Sequence, residues 1–301
     1  MKDNFDQKER PDINLSELDG KLGDILVKSK KIAPGQIREI IEFQNETGML
    51  FGKAAIKLGL ATKKDIDSAI SVQFSYPYIT NGNININNHI PNTLSKELIA
   101  ACNPFCQQAE AIRSIRTELL RQGDKKGLKT ISILSAGSGE GRTFLAANLS
   151  VAFAQMGAST LLIDLNFRGP RIHELFGKDN SSGISSLIIN RATWKQAIKP
   201  TPFSSLNIMT SGPIPPNPLE ILERRQVQQI LKELQETFYV VIVDTPCLLQ
   251  STDALVIASM TEGSVLVASE GKTKRADFSH ITNKLSSLRT RILGSVLNRH
   301  S

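Results

Sequence analysis

The sequence predicts an α/β domain, with a mainly parallel sheet flanked by helices, preceded by a small all-helical domain. Three observations carry this prediction. Short apolar runs alternate with amphipathic stretches over residues 130–301, which is the order that a parallel sheet requires. A glycine-rich stretch at 136–143 follows the first of these runs. Residues 20–78 contain two similar segments with helical periodicity, which indicates a duplicated unit.

The composition is that of a globular protein, and its charge is unevenly placed. Hydrophobic residues make up 40% and charged residues 22% of the chain. No run approaches the roughly 18–20 apolar residues of a membrane-spanning helix, and the first residues lack the apolar core of a signal peptide. We therefore expect a cytoplasmic protein. The net charge of +7 lies in residues 99–301, mostly after residue 270. This basic end fits a solvated helix face, anionic lipid or an acidic partner; we predict no nucleic-acid partner.

The two N-terminal segments repeat at a constant spacing. Gly23 and Gly52, and likewise Gln44 and Gln73, are 29 residues apart. Apolar residues at i, i+3 and i+4 in each copy predict an amphipathic helix. Each copy is therefore predicted to be a helix, a turn and a helix, and the two copies to pack into one domain over residues 20–78. The asparagine-rich residues 79–98 favour turns and are predicted to be a linker.

This tandem repeat resembles the N-terminal module of type II secretion and pilus-assembly ATPases, the GspE-N or MshEN type. Some members of that family bind cyclic di-GMP through an Arg-Leu-Gly start and a glycine after the apolar pair. Here the start is Lys21-Leu22-Gly23, and the first copy has Lys30 where the second has Gly59. The ammonium group of lysine lacks the planar guanidinium with which arginine stacks on a base and makes two parallel hydrogen bonds to a guanine or phosphate. We expect a protein-docking module, with cyclic di-GMP binding as the alternative.

A strand, a glycine loop and a helix follow one another early in the α/β domain, which spans residues 99–301. The strand is predicted from Thr130 and the helix through Met156. Glycines let successive backbone N–H groups point at phosphate oxygens, and the helix adds the positive end of its dipole. The hydroxyl of a threonine in this position binds Mg²⁺. The predicted nucleotide-binding residues are Gly137, Ser138, Gly139, Glu140, Gly141, Arg142, Thr143 and Phe144.

Two apolar strands each end on an aspartate. Leu161–Ile163 leads to Asp164, and Tyr239–Val243 leads to Asp244. Because ligands lie beyond the carboxyl ends of parallel strands, both aspartates should converge on the magnesium side of the loop. Thr143, Asp164 and Asp244 are therefore the predicted metal ligands.

Other segments complete the predicted domain. Further strands are predicted at 263–268 and 292–297, and helices near 217–235 and 274–288. Glu110, Arg113 and Arg116 form one stripe of a helix that precedes the first strand. The stripe fits either salt bridges within the helix or a clamp between subunits.

Taken together, these motifs resemble those of the bacterial tyrosine kinases that accompany polysaccharide chain-length determinants, the cytoplasmic EpsG/CapB kind in particular. The resemblance covers residues 99–301. It rests on the Glu110 stripe, the glycine loop, Asp164 through Arg168, and the stretches 215–222, 244–246, 252–254 and 294–298.

The resemblance implies a fold and an activity. The fold is that of a P-loop NTPase, whose loop binds ATP together with Arg168. Arg142, Asp164 and Asp244 would take part in the transfer of a phosphoryl group to tyrosine with Mg²⁺. A membrane Wzz-like polysaccharide copolymerase would activate the kinase, hold it at the inner membrane and so regulate exopolysaccharide synthesis, chain length and export. The Glu110, Arg113 and Arg116 stripe would form a homo-oligomer.

Three departures from the family pattern favour an alternative. Arg142 replaces the loop lysine, and Asn166 replaces a second aspartate. The C-terminus has no tyrosine cluster, since the only tyrosines are Tyr76, Tyr78 and Tyr239, the last in a predicted core strand. We therefore expect no autophosphorylation of a C-terminal tyrosine tail. The alternative to a kinase is a catalytically degenerate nucleotide-binding regulator that assembles on the copolymerase.

Overall fold

The chain divides into two compact units, residues 1–76 and residues 77–301. The structure is a computed structural model, and it describes residues 22–73, 79–80, 83–84, 94–123, 128–288 and 290–299. Lys21, Tyr76, Tyr78 and the last two residues of the chain lie outside the described residues, as does most of the asparagine-rich segment. None of the helices in the described ranges is long and apolar enough to cross a membrane.

The N-terminal unit consists of four helices. They are α1 (Leu22–Lys28), α2 (Gln36–Thr47), α3 (Phe51–Lys57) and α4 (Lys63–Gln73). The helix, turn and helix predicted for each copy are confirmed. Apolar side chains from all four helices and both turns form one core, whose fully buried members include Leu26, Ile40, Ala54 and Ala55.

The turns inside the two copies share one geometry. After α1 the N–H of Lys30 donates to the Val27 carbonyl at 2.9 Å, and after α3 the N–H of Gly59 donates to the Ile56 carbonyl at 3.0 Å. Lys30 and Gly59 both have positive φ, 56° and 70°. A residue with a Cβ atom loses roughly 1–2 kcal/mol in this conformation, which glycine adopts freely. The duplication therefore extends to the backbone, and its first copy carries strain that its second copy avoids.

The second unit is built on a seven-stranded sheet. A separate two-stranded antiparallel ladder joins β1 (Ile79–Thr80) and β2 (Asn83–Ile84). The sheet strands are β3 (Thr130–Ser135), β4 (Thr160–Asp164), β5 (Ile198–Pro200), β6 (Leu206–Met209), β7 (Val240–Asp244), β8 (Gly263–Ser269) and β9 (Ile292–Asn298). Their order is β5-β6-β4-β7-β3-β8-β9, and only β5 runs antiparallel to its neighbour. The predicted parallel α/β sheet is confirmed.

Helices cover both faces of this sheet. They are α5 (Ile99–Cys102), α6 (Gln107–Gln122), α7 (Arg142–Gln155), α8 (Ile172–Leu175), α9 (Ile184–Ile188), α10 (Trp194–Ala197), α11 (Pro218–Leu222), α12 (Arg225–Thr237), α13 (Asp253–Met260) and α14 (Arg275–Ser287). Side chains along β7 alternate between the two layers. Val240 and Ile242 pack in the core that contains α7, whereas Val241 and Val243 pack in the core that contains α12.

Two local predictions are wrong. The stretch near 217–235 is two helices and not one, since Arg224 is extended and caps α12, which begins at Arg225. Leu222 and Val227 are both fully buried in one core, yet five residues of continuous helix would set them about 140° apart around the axis. The break brings both inward. Tyr239 is not in a core strand: it precedes β7, is 43% exposed, and its ring lies under the Lys129 ammonium at 5.6 Å.

The end of the predicted linker belongs to the α/β unit. Leu98 is fully buried in the core beside α7, and the N–H of Ser95 donates to the Leu175 carbonyl at 2.9 Å. The Asn148 side chain holds the carbonyl of Glu97 at 2.9 Å. Residues 94–98 are therefore fastened to the domain they precede.

Candidate nucleotide-binding site

The glycine loop joins β3 to α7, as the sequence predicts. Gly139 and Gly141 have φ of 69° and 100°, a conformation that favours glycine. A Cβ atom on Gly141 would also overlap the side-chain amide of Asn298, which donates to the Glu140 carbonyl at 3.2 Å. The loop is therefore shaped by its own backbone and supported from the end of β9.

The Glu140 side chain is buried inside the loop. One carboxylate oxygen accepts from the Gly137 N–H at 2.9 Å, and the other accepts from the Thr273 hydroxyl at 2.6 Å. Glu140 is predicted to bind the nucleotide, but this geometry points its carboxylate into the protein. Contact with a phosphate would fall to its backbone N–H. The side chain instead ties the loop to the turn after β8.

Arg142, the first residue of α7, is folded under the loop. It is only 8% exposed, and its Nε donates to the Thr245 carbonyl at 3.0 Å. Its Nη1 donates to the Gly137 carbonyl at 2.6 Å and to the Ser135 hydroxyl. The guanidinium therefore braces the loop against the ends of β3 and β7. A lysine has one ammonium in place of this fork and could not make all of these contacts at once.

Asp164 and Asp244 lie side by side at the carboxyl edge of the sheet. They are register partners in the parallel pair β4 and β7, and both are fully buried. The Thr143 hydroxyl donates to Asp244 Oδ2 at 2.7 Å. Asp164 accepts backbone N–H groups from the segment 166–172, including those of Arg171 and Ile172 at 3.1 Å each. The structure thus brings together the three residues predicted to hold a metal ion.

Burial and proximity change the protonation of this pair. Burial and the neighbouring Asp244 charge raise the pKa of Asp164 well above its usual range. Burial also raises the pKa of Asp244 to about 6, against the lowering effects of the Thr143 hydrogen bond and the Arg142 charge. Two carboxylates that lie side by side in a buried site resist ionising together, because their negative charges repel each other. The pair therefore retains protons at a pH where isolated aspartates have lost them, and a cation there would favour their release.

Arg168 is predicted to contact the nucleotide, and it lies at the cleft but is held by another residue. Its Nε and Nη2 donate to the two carboxylate oxygens of Asp253, at 2.8 and 3.1 Å. The Asp253 side chain is 2% exposed, so this is a forked pair with a buried partner. Asn166 replaces the family's second aspartate, and its Nδ2 donates to the Gly169 carbonyl at 2.9 Å. A carboxylate could not make that bond.

A cleft of about 560 Å³ opens beside the loop. The predicted residues that line it are Ser138, Gly139, Gly141, Arg142, Thr143, Phe144 and Arg168. Its size is typical of a small-ligand site. Three charged residues of the lining were not predicted from the sequence: Glu97, Arg171 and Arg299. Glu97 falls in the predicted linker, where composition gives no sign of a site, whereas Arg171 follows Asp164 closely enough to have been considered.

The Glu110, Arg113 and Arg116 stripe on α6 makes two kinds of contact, one within the helix and one with α7. Arg113 Nε donates to Glu110 Oε2 at 2.9 Å, an ion pair within the helix. Arg116 Nη1 donates instead to the Ala152 carbonyl on α7 at 2.7 Å. Arg116 thus packs α6 against the helix that follows the loop, while Glu110 faces solvent.

The fold and the site together define the class of protein. A glycine loop between a strand and a helix, with a threonine beside a strand-end aspartate, is the arrangement of P-loop nucleoside triphosphatases. The family described as "AAA domain" matches residues 128–292.

Comparison with known proteins identifies the family within this class. The tyrosine-protein kinase YwqD of Bacillus subtilis strain 168 is 35% identical over 205 residues, which cover 68% of this chain and 86% of that protein. The crystal structure of the chimerical protein CapA2B2 superposes with a TM-score of 0.66 at 33% identity, covering 68% of this chain and 91% of that one. The kinase domain of the Escherichia coli tyrosine kinase ETK superposes with a TM-score of 0.66 at 29% sequence identity. The match covers 71% of this chain and 83% of that one. This chain belongs to the bacterial tyrosine-protein kinase family.

Proposed function

We propose that this protein is an ATP-dependent protein tyrosine kinase that regulates exopolysaccharide synthesis, chain length and export. The observation that carries the proposal is the buried pair Asp164 and Asp244, set in register beside Thr143 at the mouth of the glycine loop. Family membership supports the same activity.

The residues present suit Mg²⁺. The Thr143 hydroxyl and two carboxylates are hard oxygen ligands, the kind that this ion prefers. When bound, Mg²⁺ neutralises charge on the β- and γ-phosphates. Backbone N–H groups of the loop from Ser138 to Thr143 would hold the phosphates, since the predicted Gly137 N–H is bound to Glu140 instead. Phe144 and Arg168 would line the cleft around the nucleotide.

The transfer step makes one bond and breaks one bond. The tyrosine hydroxyl oxygen of the acceptor attacks the γ-phosphorus, the bond from that phosphorus to the β,γ-bridging oxygen breaks, and ADP leaves. Asp164 or Asp244, once ionised, would accept the proton of the attacking hydroxyl. Arg142 supports this geometry from under the loop. Tyr239 precedes β7, at the edge of the sheet opposite Asp244, so a chain cannot present it to its own site. Tyr239 is the one tyrosine among the described residues, and we propose that the acceptor lies on another protein.

ATP turnover and phosphotyrosine formation test the proposal. Wild type and Arg142→Lys would be assayed side by side with the cytoplasmic segment of the partner copolymerase present. We expect the wild type to show both activities, since Arg142 keeps a positive charge at the loop. If the wild type shows neither and the lysine variant gains both, the protein is a degenerate nucleotide-binding regulator and the kinase proposal fails.

The partner and the location follow from the same proposal. A Wzz-like polysaccharide copolymerase in the inner membrane would supply the activating segment and hold this cytoplasmic protein at the membrane. Stimulation of ATP turnover by that segment is expected. Turnover that is unchanged by the segment at saturating concentration would contradict the partnership.

The α6 stripe would join copies of this chain into a homo-oligomer. Glu110 is exposed and paired to Arg113, so that both can exchange partners with a neighbouring subunit, whereas Arg116 shapes the surface through α7. Arg113→Ala plus Arg116→Ala should lower the mass measured by light scattering. Arg121→Ala is the matched control, since it removes an exposed arginine from the same helix outside the stripe. An unchanged mass in the double variant would contradict this role.

The helical unit would serve as a docking module for another protein. Its resemblance to secretion-ATPase modules and the loss of the Arg-Leu-Gly start support docking over binding of cyclic di-GMP. Calorimetry with cyclic di-GMP should therefore give no heat of binding. Micromolar affinity would reverse this assignment.

A further inference from the structure

The four arginines that line the cleft differ in how firmly they are held. They are Arg142, Arg168, Arg171 and Arg299. Arg142 is folded under the loop on carbonyl oxygens, and Arg168 is forked onto a buried aspartate. Moving Arg168 away would leave the buried Asp253 carboxylate without its counter-charge, and moving Arg142 would leave the carbonyl oxygens under the loop without a donor. For both arginines, breaking these contacts to bind a ligand would be energetically unfavourable.

Arg171 is the cleft arginine with a replaceable partner near the aspartates. Its Nη2 donates to Glu97 Oε1 at 2.8 Å, and its Nε lies 3.8 Å from Glu174 Oε2. The side chains of Arg171, Glu97 and Glu174 are 49%, 46% and 61% exposed, so both pairs are open to solvent. Such solvent-exposed pairs contribute little to stability, because water screens the charges. Glu97 itself stays in place, since Asn148 holds its carbonyl. The hydrogen bond to Glu97 therefore positions the Arg171 side chain at the cleft, and a ligand can replace it.

The position of Arg171 places its charge at the metal end of the site. Its backbone N–H donates to Asp164 Oδ2 at 3.1 Å. The pKa of Asp244, raised chiefly by burial, is lowered in part by the Arg171 charge. Arg299 lies on the other side of the loop, after β9, where it pairs with Glu270 at 2.8 Å. In the strand order β4-β7-β3-β8-β9, the loop leaves β3 and the aspartates end β4 and β7. The terminal phosphate of a nucleotide held by the loop would lie toward these aspartates, on the side of Arg171.

We propose that Arg171 binds the terminal phosphate of the nucleoside triphosphate, and that Glu97 holds it until that phosphate arrives. The inference rests on the proposed function, because it assumes that the cleft binds ATP. A forked guanidinium matches a phosphate group in charge and geometry better than it matches one exposed carboxylate oxygen. Arg171 thereby takes the role that the sequence pattern assigns to Arg168. It also makes the site prefer a triphosphate to a diphosphate, which lacks the group that Arg171 binds.

Calorimetric titration of the full chain with Mg²⁺ and either a non-hydrolysable ATP analogue or ADP tests this inference. Arg171→Ala should lower the affinity for the ATP analogue about tenfold, which is the effect of losing one charge-assisted hydrogen bond. The affinity for ADP should change less than about twofold. The variant keeps the backbone N–H that Asp164 accepts, so the fold of the segment is retained. Glu97→Gln should raise the affinity for the ATP analogue about two- to fivefold, because it removes the carboxylate that competes for Arg171.

Two further variants make the outcome specific. Arg171→Lys should recover part of the preference, because it restores the charge without the fork. Arg225→Ala, an exposed arginine outside the cleft lining, should leave both affinities unchanged. If the wild type binds both nucleotides and Arg171→Ala keeps its preference for the analogue, or weakens both ligands equally, the inference is overturned. A wild type that binds neither nucleotide refutes the proposed function itself.

Discussion

Raising the pH from 5 to 8 should destabilise the nucleotide-free α/β unit. Burial raises the pKa of Asp244 to about 6 from the ordinary 3.8, so the folded state binds this proton more tightly than the unfolded chain does. Stability from that proton is complete below about pH 4 and is lost as the pH rises through about 6. The loss between pH 5 and pH 8 is about 1.4 kcal/mol for Asp244 alone. Asp164, whose pKa is raised by burial and by Asp244, adds a loss in the same direction.

Urea unfolding followed by tryptophan fluorescence measures this loss. Trp194 is the only tryptophan of the sequence and lies in α10 of the α/β unit, so its signal reports on the unit that carries the aspartates. Asp244→Asn is the control, because it removes the titration and leaves a side chain of the same shape. The free energy of unfolding of the wild type should fall by about 1.4 kcal/mol more than that of the variant over this pH range.

The opposite result would refute the reasoning. If wild type and Asp244→Asn show the same pH dependence, or if the wild type gains on the variant as pH rises, Asp244 does not hold a proton in the folded protein. Adding Mg²⁺ and a nucleotide should stabilise the wild type more at pH 8 than at pH 5, because a cation binds the ionised carboxylates.

Two further predictions concern stability away from the aspartates. Lys30→Gly should stabilise the helical unit by about 0.5–1 kcal/mol, because glycine relieves the strain of positive φ at the position where the second copy has Gly59; thermal unfolding of the full chain followed by circular dichroism checks this, and a lower melting temperature would contradict it. Arg168→Ala should cost about 3–5 kcal/mol by leaving Asp253 buried without a counter-charge, whereas Asp253→Ala should cost less because the freed guanidinium is already half exposed. Equal losses in urea unfolding would show that the buried carboxylate is not the costly partner.

Much of the architecture could be predicted from local patterns in the sequence. Runs such as 161–163 and 240–243 are apolar throughout because central parallel strands are covered on both faces, so these strands are recognisable without knowledge of their neighbours. The glycine loop is likewise local, since positive φ at Gly139 and Gly141 is a property of single residues. The edge strand β5 and its neighbour β6, with three and four residues, were not predicted because so short a run has no readable period.

The sequence by itself determined the sheet, the loop, the repeat and the pairing of two strand-end aspartates with Thr143, because each depends on residue type and on spacing along the chain. Only the tertiary structure decided which charges in the cleft are free to act. Arg142 and Arg168 look like phosphate ligands in a motif, but their guanidinium groups are bound to Thr245 and Asp253, about 100 and 85 residues away. A side chain's partner depends on contacts between distant segments, and no local pattern encodes them. For that reason Arg171, the cation that we propose for the terminal phosphate, is recognised only from the fold.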